Sequence, residues 1–141
     1  MARDLSIGDL ALETGVKAPT IRYYEQIGLL PAPPRSEGNR RLYAASDVRR
    51  LKFIRHARDL GFEIEPIRTL LALQDHPDQS CAECDAVARA RLAEVEARIA
   101  RLQSLKAELT RMIDSGSHGR VADCRVIEVL ADHELCAHET H

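Results

Sequence analysis

Apolar residues recur along the chain in short bursts whose spacing changes from one segment to the next. Leu5, Ile7, Leu10 and Leu12 predict a helix over residues 5–13, with Ser6 available as its N-cap, and Gly15-Val16 ends the run. Ala18-Pro19-Thr20 opens a second short helix, since proline is tolerated in a first turn. It runs through Ile21-Arg22-Tyr23-Tyr24 to about Ile27 and stops at Gly28. Two short helices joined by a tight glycine-containing turn are the sequence signature of a helix-turn-helix. Residues 30–34 carry three prolines and cannot be helix interior. Residues 35–43 mix turn formers with basic and aromatic side chains and predict a small β-hairpin or wing.

Helical periodicity then returns. Ser46-Asp47 can cap a third helix with Val48, Leu51, Phe53, Ile54, Ala57 and Leu60 on its apolar face, ended by Gly61. A fourth spans residues 66–73, burying Ile67, Leu70, Leu71 and Leu73, before His76-Pro77-Asp78 interrupts it. Nothing breaks the helix from residue 82 to residue 113. There Ala88, Leu92, Val95, Ile99, Leu102, Leu109 and Ile113 follow alternating 4-3 spacing, with Lys106 in the slot between the two leucines. This is a heptad seam on a rod of roughly 45 Å at 1.5 Å per residue. The first 75 residues are too small to cover so long a stripe, so the same helix of a second chain is its expected partner. A loop around Ser115-Gly116-Ser117-His118-Gly119 leads to a short helix over residues 121–130 and a tail holding Cys136, His138 and His141. The domain expectation is a DNA-binding unit over 1–75, a dimerisation helix over 82–113 and an effector-binding loop, helix and tail over 114–141.

Charge sharpens this picture. The net charge is −2, but between Lys17 and Arg58 ten Lys and Arg residues stand against three acids, Glu25, Glu37 and Asp47. A basic block on an otherwise mildly acidic chain marks the surface that meets a polyanion. With 4% aromatics and no Trp, the core must be built mainly from Leu, Ile, Val and Ala. No apolar run approaches the ~20 residues of a membrane span, and the start has no stretch of signal-peptide length. A cytoplasmic protein with reduced thiols is therefore expected. No Ser/His/Asp set, Gly-rich phosphate loop or paired carboxylates on one element points to an enzyme.

A DNA reader needs a slim helix with long polar side chains at its exposed start. Lys17, Thr20, Arg22, Tyr23 and Tyr24 supply these; Arg22 can bond guanine or phosphate, and tyrosine hydroxyls either grip phosphates or pack beneath the wing. Arg35, Asn39, Arg40, Arg41 and Tyr43 form a second basic cluster suited to the flanking backbone. Arg49, Arg50, Lys52, Arg55 and Arg58 occupy several faces of the third helix, so only some of them can reach DNA.

Ile7-Gly8 with Leu10-Ala11, Thr20-Ile21-Arg22-Tyr23-Tyr24-Glu25, Gly28-Leu29-Leu30-Pro31, Arg35-Ser36, Arg41-Leu42-Tyr43 and Phe53-Ile54…Ala57-Arg58…Leu60-Gly61-Phe62 together resemble the N-terminal signature of the MerR regulator family. The likeness spans roughly residues 5–75, with the rod in the place of the family's dimerisation helix. Arg40 departs from it, since many relatives carry an aromatic residue there. The resemblance implies a mostly α fold: a winged helix-turn-helix, a long antiparallel coiled-coil helix and a short C-terminal metal-binding loop and helix. It also implies a homodimer on double-stranded promoter DNA that acts on RNA polymerase indirectly, by bending and untwisting an overlong spacer.

Thiolates and imidazoles select zinc and softer ions over magnesium or calcium. The resemblance places Cys81, just before the rod, and Cys124, in Cys124-Arg125-Val126, at ligand positions of the divalent-ion sensors, one from each protomer. Where those sensors have further loop cysteines this chain has Gly116-Ser117-His118. His118, Cys84, Cys136 and His138 are the other candidate ligands, while His56 and His76 suit packing and turn roles. The expected cofactor is a divalent ion, Zn2+ first, with cadmium, lead, mercury or cobalt behind it. The alternative on the same scaffold is a thiol-based redox or electrophile sensor, in which Cys81, Cys84, Cys124 and Cys136 form disulfides or adducts.

Overall fold

The computed structural model describes residues 5–115, 119–121, 124–132 and 134. The helices among them are α1 (Ile7–Thr14), α2 (Ala18–Gln26), α3 (Ala45–Asp59), α4 (Ile64–Gln74), α5 (Ala82–Asp114) and α6 (Arg125–Ala131). The chain falls into two compact units, Met1–Val87 and Ala88–His141. The division lies within α5, so the first unit carries the opening of the rod as well as the predicted DNA-binding region.

In the first unit, α1 is started by a capping box. Ser6 Oγ accepts from the Asp9 N–H at 3.1 Å, and the Asp9 carboxylate accepts from the Ser6 N–H at 3.1 Å. Those bonds hold the Asp9 carboxyl below its ordinary value. Gly15, at φ 72°, closes α1 with its N–H on the Ala11 carbonyl. Thr14 Oγ1 donates to Leu10 O and accepts from the Val16 N–H, which fixes the turn into α2. Pro19 sits in the first turn of α2, as expected. Gly28, at φ 78°, lets the chain leave α2 with the Leu29 N–H on Tyr24 O. α3 packs against α1 and α4, and α1 against α2. Leu10, Ile21, Leu29, Leu30, Tyr43, Leu51, Ile54, Ile67 and Leu71 fill the core between them.

Several expectations shift. Of the pair Ser46-Asp47, it is Asp47 that caps α3, its carboxylate accepting from the Ala44 N–H at 2.9 Å. α4 starts two residues early, at Ile64, and Pro66 still falls in its first turn. Leu12 and Leu60 are exposed, and Leu70 and Leu73 are only half-buried. Leu12 lies two residues beyond Leu10, about 200° around a helix, and so faces the opposite side. Leu60 comes after the last turn of α3. The wing is smaller than a hairpin: its described residues form isolated antiparallel bridges, Arg35 with Arg41 and Leu5 with Tyr43, and no longer strand. Pro31, Pro33 and Pro34 lack the N–H donors a longer ladder requires. Asn39, at φ 62°, makes the turn at the tip.

The rod α5, most of which belongs to the second unit, is continuous to Asp114 and has 33 residues, about 50 Å at 1.5 Å each. Leu92, Ile99, Leu102, Leu109 and Ile113 are half or more exposed on a single chain. Among the described residues of this unit, Glu108, Met112 and Val129 are buried. α6 begins at Arg125, four residues later than the periodicity suggests, with Cys124 as its N-cap. Among the described residues no helix is long and apolar enough to cross a membrane.

Candidate nucleic-acid interface and thiol cluster

The basic block divides into charges that bond backbone carbonyls elsewhere in the unit and charges for which the described residues show no such bond. Three arginines of α3 bond backbone carbonyls, one at the end of α1, one just past α2 and one in the turn that follows α3 itself. Arg55 Nη1 donates to Thr14 O at 2.8 Å, Arg50 Nε to Leu29 O at 2.9 Å, and Arg58 Nη1 to Phe62 O at 2.9 Å. A cation at a helix C-terminus meets its unpaired carbonyls and its negative dipole end. Arg50 also lies 3.7 Å from the Asp75 carboxylate, and Arg58 lies 3.9 Å from Glu63. Arg55 and Arg50 thereby tie α3 to the end of α1 and to the segment after α2. Arg49 and Lys52, on the same helix, are exposed.

On α2, Lys17, Arg22 and Tyr23 are exposed and Thr20 is partly so, whereas the Tyr24 ring is buried. Tyr24 packs in the core and against Tyr23, with ring centroids 6.1 Å apart. In the wing, Arg35, Asn39 and Arg40 are exposed. Arg35 Nη1 donates to Asn39 O at 3.1 Å, and Ser36 Oγ accepts from the Arg40 N–H at 3.2 Å, which stiffens the tip. Between the wing and the start of α1 lies a shallow cleft of about 400 Å³, lined by Arg35, Asn39, Arg40 and Arg41 together with Ser6 to Gly8.

Arg41 and Tyr43 stand differently. Tyr43 is fully buried. Its backbone pairs with Leu5 in both directions, at 2.9 and 3.1 Å, and its hydroxyl donates to Glu25 Oε1. Burial first, and the Glu25 carboxylate second, raise its phenol above the ordinary value, so the hydroxyl keeps its proton and donates. Of the two tyrosine roles open in the sequence, Tyr43 takes packing beneath the wing. As a DNA-contacting residue it is corrected by its burial. Arg41 Nε donates to Glu25 Oε2 at 3.1 Å. Glu25 and Arg55 went unassigned at the level of sequence. The signal for Glu25 was there, since it is one of three acids among ten basic residues.

Of the thiols, Cys81, Cys84 and Cys124 are free; Cys81 is exposed and the other two are partly buried. Cys81 immediately precedes α5, and its carbonyl accepts the Asp85 N–H at 2.9 Å. Cys81 and Cys84 line a cleft of about 320 Å³ whose apolar wall includes Phe53, Leu70 and Leu73, with His76 also among its residues. Half-buried Leu70 and Leu73 thus border the thiols. Among the described residues no group of three or more His, Cys, Asp or Glu side chains comes together to hold an ion. His118, Cys136 and His138 lie outside the described residues.

Comparison with known proteins agrees with this geometry. Residues 5–74 match the family of MerR HTH family regulatory proteins, and residues 48–112 match the MerR, DNA binding family. The chain is 46% identical over 127 residues to the HTH-type transcriptional regulator ZntR of Escherichia coli (strain K12), covering 88% of this chain and 90% of that protein. It is 38% identical over 128 residues to heavy metal-dependent transcription regulator 2 of Rhizobium meliloti (strain 1021), covering 91% and 87%. Among solved structures, the transcription regulator PbrR691 from Ralstonia metallidurans CH34 in complex with lead(II) superimposes with a TM-score of 0.78 at 36% identity, covering 89% of this chain and 98% of that one. The exposed cations of α2 and the wing, the apolar stripe of α5 and likeness of this extent lead to one conclusion: the chain belongs to the MerR family of helix-turn-helix transcriptional regulators, which bind promoter DNA as dimers.

Proposed function

We propose that this protein is a divalent-metal-responsive regulator with zinc as its preferred ion, acting on promoter DNA as a homodimer. The carrying observation is the donor set: exposed Cys81 at the start of α5, half-buried Cys84 one turn on, and half-buried Cys124 capping α6, all as free thiols. Thiolates joined by an imidazole suit four-coordinate Zn2+, and softer cadmium, lead or mercury follow. The similarity to a heavy metal-dependent regulator and to a lead(II) complex supports the same class of ligand. The proposed site draws on two protomers, Cys81 of one and Cys124 of its partner, completed by His118, Cys84, Cys136 or His138; among the described residues of one chain no group of three or more such donors comes together. A bound ion would supply a cross-link between protomers. A site built that way couples ion binding to the relative pose of two DNA readers, which is what a distortion switch needs.

On the DNA side, Lys17, Thr20, Arg22 and Tyr23 read or flank the major groove from α2, and Arg35, Asn39 and Arg40 hold backbone phosphates from the wing. Arg22→Ala is expected to weaken operator binding by about 1–3 kcal/mol and to relax preference at one base pair if it reads a base edge. An unchanged footprint and affinity would reassign α2.

The ion is tested by in vitro transcription across a panel of divalent metals, with metal content measured by mass under reducing conditions. Zinc is expected to be retained and to induce. Cys81→Ser and Cys124→Ser are each expected to abolish induction while the metal-free dimer still binds its operator. Full induction in either variant removes that residue from the ligand set. A protein that retains no ion and releases its promoter only on oxidation is the thiol-redox sensor instead.

A further inference from the structure

We infer that Glu25 is the positioning residue that sets the wing against the reading helix, and through it the preference for operator over other DNA. This rests on α2 and the wing being the DNA-facing surface. Glu25 lies in the last turn of α2, and its side chain is 9% exposed. One oxygen accepts from Arg41 Nε at 3.1 Å, and the other accepts from the Tyr43 hydroxyl. Arg41 is the residue bridged to Arg35 across the wing, and Tyr43 is anchored through its backbone to Leu5. A single carboxylate therefore clamps the outgoing arm of the wing, 16 and 18 residues further along the chain, onto the helix that carries Arg22.

The sign of the charge gives this weight. A carboxylate on the DNA-facing unit repels a polyanion, so simple electrostatics says that its removal should tighten binding to any duplex. A clamp predicts a split. With Glu25 neutral, Arg41 loses its ion pair and swings free, and the wing loses its fixed angle. Arg40 on its tip then no longer reaches the same phosphate. Non-specific DNA, which tolerates many poses, should be indifferent or gain. The operator, which needs α2 and the wing engaged together, should lose.

The test uses the full-length protein and measures binding to operator duplex and to a scrambled duplex over a range of salt. Glu25→Gln is expected to bind the scrambled duplex at least as tightly as the wild type and the operator about ten-fold less tightly, the size of one charged hydrogen bond. Tyr43→Phe changes no charge and removes only a hydroxyl that cannot touch DNA. It is expected to weaken the operator about three- to ten-fold while lowering the thermal midpoint by only about 4–8 °C, well short of unfolding the unit, and the double variant should be no worse than Glu25→Gln. Arg40→Ala should weaken the wild type about ten-fold but the Glu25→Gln protein less than two-fold, a coupling that a purely stabilising role would not produce. Glu25→Gln tightening both duplexes, Tyr43→Phe at wild-type affinity, or additive losses with Arg40→Ala would each overturn the inference. If Arg22→Ala and Arg40→Ala themselves leave operator binding unchanged, the assignment of the DNA face fails and the inference falls with it.

Discussion

Ile99→Asp with Leu102→Asp is expected to turn the dimer into a monomer at micromolar concentration and to lower operator affinity by about a hundred- to ten-thousand-fold, the range by which linking two half-site contacts raises binding. Both positions are half or more exposed on the single chain, Ile99 at 50% and Leu102 at 58%. They lie mid-way along α5, in register with Leu92, Leu109 and Ile113. Burial of each such side chain contributes about 1.5–3 kcal/mol when complete, so the stripe as a whole carries enough free energy to hold two chains together. An aspartate in that seam must either enter it unpaired or keep it open, and an unpaired buried carboxylate costs more than the leucine contributed. Neither change touches the core of the first unit, so its melting should stay close to that of the wild type. Sedimentation and operator footprinting read the two effects together. A variant that still sediments as a dimer would place the interface off this stripe.

The elements that were legible in the sequence were those marked by period and punctuation together. The apolar spacing of α1, the proline in the first turn of α2 and the uninterrupted run of α5 each fixed a helix to within a few residues. The wing was overdrawn because turn residues announce a reversal but not the length of the ladder beside it. The charged site was legible as a block and illegible as individual roles. Nothing in the sequence separates Arg55, which ends on the Thr14 carbonyl, from Lys52, which is exposed three residues earlier. The acceptors are backbone carbonyls at or just beyond helix ends, and they come within reach only once the helices are packed. For the same reason Tyr43 could not be told from Tyr23 until its ring was seen in the core and its hydroxyl on Glu25. The cysteines illustrate the opposite case. Their chemistry is read directly from residue type, but the proposed ligand set, drawn from two chains, would have no spacing signature in one.

The turn between α1 and α2 provides the other large effect, since it holds the reading helix by its start. Gly15→Val is expected to destabilise the first unit by about 3 kcal/mol and to lower its melting point by roughly 10–20 °C, the shift such a loss produces in a domain of this size. One part is conformational: Gly15 sits at φ 72°, where an L-residue costs about 1–2 kcal/mol and a β-branched one is an outlier. The other part is Arg55. A Cβ placed on Gly15 would overlap its guanidinium, which must then leave the Thr14 carbonyl it caps and give up a charge-assisted hydrogen bond worth about 1.5 kcal/mol or more. Gly8 is the matched control, because it lies within α1 and, among the described residues outside the helix backbone, a methyl group added there would have Ser6 Oγ as its neighbour, at an ordinary 3.7 Å. Gly8→Ala should be neutral or stabilise by up to about 1 kcal/mol through the lower entropy of the unfolded chain. The two contributions at Gly15 separate in an Arg55→Met background. There the valine should retain only its backbone penalty of about 1–2 kcal/mol. An equal penalty in both backgrounds would mean that Arg55 moves aside freely and that the turn is held by Thr14 and the glycine alone.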